Sequence, residues 1–270
     1  PQYWAALTAD STTAERHDFE LKAVENNKHV MLAITDIHLS NQLGDIDQLK
    51  TIVMPRIREE VEKYRKQGIP VYTMCMGDSS FDLFWYDFLF DIKDFRTTIG
   101  KIGYPTPIFH TMGNHDNDGA TEPNADTDFN ATKKYREVFG PTYYSFNIGK
   151  VHYIMLDDQI YLNEPRENAK KGKGIVGARN HITSLTRQQL DWLSKDLATV
   201  EDKSTPIVIG VHAPIYRYKN GRDGKINISL TEPSATELTK LLSQFSNVHI
   251  LSGHTHRNRT TYGSDDKSRP

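Results

Sequence analysis

Across 270 residues the chain carries 35 acidic and 33 basic side chains, a formal net charge of −2, with 37% hydrophobic and 25% charged residues. The basic residues are scattered, so the electrostatic footprint of a nucleic-acid or anionic-membrane binder is missing, and no apolar run reaches the roughly 20 residues of a membrane-spanning helix. The length allows one large domain as readily as two small ones.

Residues 1–28 are polar and weakly patterned and read as a linker or the tail of an upstream segment. The chain opens at Pro1 without a charged-then-apolar leader, which suits a processed product or an excised piece, exported or periplasmic if a signal peptide preceded residue 1. A domain over 29–270 is expected to begin at HVMLAIT, 29–35, a continuous apolar run of the kind a buried strand gives. The spacing of Leu49, Ile52, Val53, Ile57 and Val61 then predicts a helix over 45–68, ended by Gly68 and offset in its first turns by Pro55.

IPVYTMCM, 69–76, is the second buried strand. Its Cys75 is the single cysteine, so an intrachain disulfide is excluded; it reads as core packing and leaves the compartment open. FDLFWYDFLFDIKDF, 81–95, places Phe81, Phe84, Trp85, Phe88, Leu89 and Ile92 on one helical stripe, a packing face rather than a ligand box. TPIFHTM, 106–112, is a third strand, and the alternation of strand and helix predicts an α/β fold with parallel pairing at its centre.

From 141 the pattern changes. PTYYSFNIGKVHYIMLDD reads as two strands joined in a hairpin at Ile148-Gly149-Lys150. A helix follows in SLTRQQLDWLSKDLATV, with Thr186 and Gln189 at capping-box spacing and Leu190, Leu193 and Leu197 on one face. Two more strands, TPIVIGVH and NVHILSG, are separated by a polar loop and a helix over 234–245.

Five of these strands end in the same chemistry: Asp36-Ile37-His38, Gly77-Asp78, Gly113-Asn114-His115-Asp116, His212, and Gly253-His254-Thr255-His256. Ligands of open α/β sheets bind outside the carboxyl ends of strands. In an extended chain, residues two apart point to one side, so Asp-x-His and His-x-His can each reach a common ion. The glycines before Asp78, Asn114 and His254 let the backbone turn and approach a ligand closely. Oxygen and imidazole donors without thiolate suit Zn, Mn or Fe. Asp36, His38, Asp78, Asn114, His212, His254 and His256 are too many for one tetrahedral ion, which takes about four ligands, and right for two ions sharing a carboxylate. The other histidines, His17, His29, His110, His152, His181 and His249, lack such placement and read as structural.

In this order the five blocks resemble the calcineurin-like metallophosphoesterases over about 30–258. The segments FGPTYYSFNIGKVHYIMLDD and HITSLTRQQLDWLSKDL also resemble that family's extracytoplasmic, phosphatase-like bacterial branch. The resemblance implies a four-layer α/β/β/α sandwich of two mixed β-sheets. It implies that Asp36, His38 and His256 hold one metal, that Asn114, His212 and His254 hold a second, and that Asp78 bridges both. It further implies that His115 faces the substrate phosphate and assists the leaving group, with Asp116 orienting it. Two such ions can hold a hydroxide at neutral pH and clamp phosphoryl oxygens for in-line displacement, a reaction that asks mainly for positioning and charge neutralisation. The expected activity is hydrolysis of a small phosphorylated substrate, a monoester or a diester.

The sequence also departs from the family pattern. Where an acidic residue often stands three after the Gly-Asp aspartate, this chain has Phe81. Residues 116–130 form a longer polar loop, a lid or a solvated insertion. Few residues follow His256, so either the second sheet is short or its closing strands lie beyond the chain. A nuclease of the same superfamily is an alternative, but would carry a basic groove. A non-catalytic metal-binding module is another, and would be expected to have lost His115 or Asp78. Arg217, Lys219 and Arg222 suit either a second-phosphate anchor or a solvated loop, and Tyr216 and Trp85 either a stacking platform or the core.

Overall fold

The structure, a computed structural model of the chain, describes residues 4–5, 7, 12, 14–20, 26–122, 124–165, 179–218 and 226–260. In chain order, β1 (Val30–Ile34) leads to α1 (Asp45–Gln48), which runs through a π turn at Leu49–Val53 into α2 (Met54–Arg65). Pro55 explains the π turn: it lacks the N–H that an α-helix needs at that point, so the predicted 45–68 helix persists with one widened turn. Gly68, at φ 72°, lies just beyond it.

The next strand, β2 (Val71–Met76), is followed by a single 3-10 turn at Asp82–Phe84 and by α3 (Ile92–Ile102). The helix expected over 81–95 is therefore corrected. Asp91 caps α3 by accepting the Lys93 N–H (2.8 Å) while Asp94 accepts the Asp91 N–H (3.0 Å), and this reciprocal box starts the helix eleven residues late. The aromatic stripe is split accordingly, with Trp85 and Phe90 buried and Phe88 and Leu89 exposed.

Then come β3 (Ile108–Thr111), a 3-10 turn at Asn114–Asp116, α4 (Thr127–Ala131) and α5 (Lys133–Phe139). The loop at 116–130 is anchored at both ends and solvated between them, with Ala120, Glu122 and 124–126 exposed. Asn117 and Thr127 are buried, and Asp118 accepts from the Tyr86 hydroxyl while its own N–H donates to the Ala131 carbonyl. The second half contains β4 (Tyr144–Ile148), β5 (Val151–Met155), β6 (Gln159–Pro165), β7 (Arg179–Thr183), α6 (Arg187–Ala198), β8 (Ile207–Gly210), β9 (Tyr216–Tyr218), β10 (Ile226–Ile228), α7 (Ser234–Leu242) and β11 (Val248–Leu251). No helix among the described residues is long and apolar enough to cross a membrane.

Strands β1-β2-β3 form a sheet that is parallel throughout, and β11-β8-β5-β4 a mixed one in which only the predicted β4–β5 hairpin is antiparallel. Alternation along the strands assigns the faces. Tyr153, Met155 and Val208 join Met74, Met76 and Phe109 between the two sheets, where Phe109 stacks on Phe146 at 3.9 Å. Ile154, Ile207 and Ile209 instead pack with Leu190, Leu193 and Leu197 of α6 and Leu238 and Leu242 of α7. A third cluster joins Met54, Ile92, Phe95, Tyr135 and Phe139 from α2, α3 and α5. Thr186 caps α6 as expected, accepting the Gln189 N–H (3.1 Å), but the Gln189 amide turns to the Asp157 backbone, so only half of the capping box forms.

Leu193, fully buried on α6, is a test of this packing. Leu193→Ala is expected to lower the unfolding free energy by about 2–5 kcal/mol and Thr186→Ala by about 1 kcal/mol in urea denaturation. Equal effects of the two substitutions would contradict the assignment of Leu193 to the core.

Candidate metal centre

The parallel pairing of β1 and β2 continues past both strand ends. Asp36 donates its N–H to the Gly77 carbonyl (3.1 Å), His38 to the Asp78 carbonyl (2.9 Å) and Leu39 to the Ser79 carbonyl (3.1 Å). These loops are not extended, which corrects the same-side argument for Asp-x-His. Asp36, His38 and Asp78 all take positive φ, at 53°, 49° and 51°, and so do His254 and His256, at 65° and 50°. Five of the seven predicted ligands thus occupy the left-handed region, which costs of order 1–3 kcal/mol per non-glycine residue and gathers at functional sites. It is the alternation of left-handed residues that aims Asp36 and His38, and then His254 and His256, into one space.

Two glycines make the approach possible. A Cβ on Gly77 (φ 83°) would lie 2.6 Å from the Gly113 nitrogen and 2.7 Å from His212 Nδ1, and one on Gly113 would collide with Asp78 Oδ1. Only bare backbone fits between β2, β3 and the end of β8.

All seven predicted ligands meet there. His256 Nε2 is 3.3 Å from Asp36 Oδ1 and 3.2 Å from His38 Nε2. His212 Nε2 is 3.1 Å from Asp78 Oδ2, 3.0 Å from Asn114 Oδ1 and 3.1 Å from His254 Nδ1, which is itself 2.9 Å from Asn114 Oδ1. Asp78 Oδ2 also faces His38 Nε2 at 3.5 Å, so this carboxylate touches both groups. Among the described residues, Asp36, His38 and His256 form one cluster able to hold an ion, and Asp78, His212 and His254 another. The donor set fits metal ions. Ligand atoms bonded to one ion at about 2.1 Å stand roughly 3.0–3.4 Å apart, and two imidazole pairs here face each other nitrogen to nitrogen at such distances. His212 meets the Met76 carbonyl through Nδ1 (2.9 Å), which fixes the tautomer whose Nε2 lone pair is free to ligate.

His115 and Asp116 also lie at this centre, but not as partners. Asp116 is fully buried and accepts the backbone N–H groups of Ser79 (3.0 Å), Ser80 (3.2 Å) and Gly113 (3.0 Å), tying the β2 loop to the β3 loop. The expectation that it orients His115 is overturned. His115 Nδ1 instead lies 2.6 Å from Asp82 Oδ1, and the His115 N–H donates to Asp78 Oδ1 (2.8 Å). Asp82 was hidden within a segment read as a helical stripe. Its signal was its place four residues after Asp78, where the family pattern asks for an acidic residue one position earlier.

The electrostatics follow from burial set against partners. Burial alone would raise the Asp36 carboxyl, but His38, Thr35 and the nearby histidines hold it at about 2. Burial and the Asp78 carboxylate push Asp116 up to about 7. Burial would lower His212, yet the adjoining Asp78 raises it to about 9. His115 is likewise raised against its burial by Asp82. Of the other candidates, Trp85 is buried and donates to the Ser80 hydroxyl (3.0 Å), and the Tyr216 hydroxyl pairs with Thr239 (2.9 Å). The Arg217 side chain, Lys219 and Arg222 lie outside the described residues.

With this geometry stand the comparisons with known proteins. The family model of the calcineurin-like phosphoesterases matches residues 29–258. The chain belongs to that family. This chain is 25% identical over 167 residues to the mouse serine/threonine-protein phosphatase CPPED1, covering 62% of the chain and 46% of that relative. It is 30% identical over 171 residues to acid phosphatase A of Cryphonectria parasitica, covering 63% of the chain and 30% of that relative. It therefore spans less than half the length of these curated relatives. A dimetal phosphatase from Danio rerio aligns with a TM-score of 0.48 at 12% identity, over 84% of this chain and 81% of that one.

The Asp82–His115 contact carries its own test. In Asp82→Asn the imidazole loses the neighbouring carboxylate, so the His115 pKa is expected to fall back toward or below its ordinary value of 6.5. Titration of the ring protons by NMR reads this directly. A pKa unchanged by the substitution would show that Asp82 is not the cause.

Proposed function

We propose that the chain hydrolyses a phosphate ester with the aid of two metal ions, Mn, Zn or Fe, held at this centre. The convergence of seven donors around Asp78 carries the proposal, and membership of the phosphoesterase family supports it. Asp36, His38 and His256 would hold one ion, Asn114, His212 and His254 the other, and Asp78 would serve both. When bound, the ions supply charge to neutralise phosphoryl oxygens and a nucleophile available at neutral pH.

The chain's own residues do the rest. His115, its pKa raised by Asp82, stands beside Asp78 as the proton donor to the leaving-group oxygen as the ester bond breaks. Asp82 fixes the ring by accepting from Nδ1, which leaves Nε2 as the donating atom. Asp116 holds the two loops in register, and Gly77 and Gly113 keep the backbone out of the space the donors share. The substrate is a small phosphorylated molecule. Both relatives are named as phosphatases, which favours a monoester over a diester. The four-layer order, helices on either side of two stacked sheets, belongs to the same proposal and is supported by the three separate core clusters.

Metal-stripped protein reloaded with Mn²⁺, Zn²⁺ or Mg²⁺ is expected to turn over p-nitrophenyl phosphate faster than bis-p-nitrophenyl phosphate. Asp78→Asn should lose ions and activity together, whereas His115→Ala should retain the ions and lose about 10²–10⁴-fold in kcat. Full activity of His115→Ala on an ester with a poor leaving group would refute its role as proton donor.

Metal uptake should also release protons. Without the ions His212 holds a proton up to about pH 9, and only the neutral ring can ligate. Apparent affinity is therefore expected to rise with pH until about 9, and calorimetric titration at pH 7 should give heats that depend on the ionisation enthalpy of the buffer. Buffer-independent heats would contradict His212 as a ligand.

A further inference from the structure

The segment after the Gly-Asp motif, FDLFWYDFLFD at 81–91, is unused by the metal centre apart from Asp82, yet it borders that centre directly. Phe81 meets both site histidines edge to face, with ring centroids 4.5 Å from His115 and 4.8 Å from His38. From Phe81 a chain of rings runs outward, to Phe84 at 5.0 Å and on to Phe88 at 5.4 Å, each pair again edge to face. The inner side of the segment is pinned by buried Trp85, bonded to Ser80, and by Tyr86, whose hydroxyl donates to Asp118. The outer side stays open, with Phe88 50% and Leu89 82% exposed, and Leu89 is held there at a φ of 50°.

We propose that Phe81, Phe84 and Phe88 form the subsite for the leaving group, and that the preferred substrate is the phosphate monoester of an uncharged aromatic or bulky apolar alcohol. The inference rests on the proposed phosphoesterase reading, because it places the leaving group at His115, where the ring chain begins. The chemistry of the segment selects the class. Asp82 is paired with His115 and Asp91 with Lys134 (3.4 Å), so the chain of rings offers the leaving group apolar surface rather than a charge partner. Edge-to-face rings offer their faces and edges to another π-system, a contact that adds to the burial of its area. The reaction is balanced by water alone: the P–O bond to the alcohol breaks, water oxygen takes its place on phosphorus, the released alkoxide receives the His115 proton, and the proton given up by the water restores His115. The alcohol then leaves along the ledge.

The ratio of kcat/KM for 2-naphthyl phosphate to that for ethyl phosphate tests this. In Phe84→Ala and Phe88→Ala the ratio is expected to fall about tenfold, the scale of one lost aromatic contact and the area that it buries. Phe88 is half exposed, so its substitution leaves folding intact, and Phe84→Leu provides a variant that retains apolar volume without the ring. Binding of 2-naphthol itself, followed by its fluorescence anisotropy, should weaken by a similar factor in the alanine variants and needs no turnover. An unchanged selectivity ratio together with unchanged naphthol binding would overturn the ledge. Failure of the wild-type protein to cleave any phosphate ester would instead strike the proposed reaction, and the naphthol titration would still decide whether the ledge binds aromatic alcohols.

Discussion

The position of one carboxylate governs the rest of the site. Asp78 lies at the end of the central strand of the parallel sheet, 1% exposed, with one oxygen taking the His115 N–H and the other facing His38 and His212. Its backbone carbonyl receives the His38 N–H, so the same residue that meets the donors also carries the β1 loop. To sit there it adopts a left-handed backbone, as do four other predicted ligands. At about 1–3 kcal/mol each, five such residues cost roughly 5–15 kcal/mol, comparable with the whole net stability of a typical domain. Two things can offset a cost of that size. One is the set of loop hydrogen bonds to Asp116 and between the β1 and β2 loops. The other is ligation, since whatever binds only the folded state stabilises it by mass action.

Much of this was legible in the sequence because parallel strands are nearly continuous apolar runs, and a polar Asp, Asn or His at the end of such a run stands out. β1, β2, β3, β8 and β11 were read from that contrast, and the seven donors they deliver converge as expected. The same contrast failed between Phe81 and Phe95. Six apolar residues at helical spacing there satisfy the pattern of a packed helix, yet the decisive local signal was the pair Asp91 and Asp94, whose reciprocal capping fixes where α3 begins. A period averages over the segment, whereas a cap acts at one residue, and here the cap prevailed.

That misreading also concealed Asp82. On a helix it would have been a polar side chain flanking the apolar stripe; in the short 3-10 turn it is fully buried and aimed at His115. Asp116 misled in the opposite way. The resemblance paired it with His115, its neighbour in sequence, but a 3-10 turn sends neighbouring side chains in different directions, and Asp116 points back to the amides of the β2 loop and of its own. Neighbours in sequence share a strand end without sharing a contact.

The near-balance of charge, 33 basic side chains against 35 acidic, is consistent with such a centre on electrostatic grounds. The proposed ligand set contains two carboxylates, Asp36 and Asp78, against four neutral imidazoles and one amide. Two divalent ions in that set would leave a net charge of about +2 at the centre, where the proposed monoester would bring about −2 near neutral pH. At short separations, in surroundings that partly exclude water, each unit pair is worth several times what it would be at the screened surface. A chain with this arrangement needs no lysine or arginine field to attract its substrate. Phe81, Phe84 and Phe88 can then act on the other end of the molecule, favouring a leaving group that is itself aromatic or apolar.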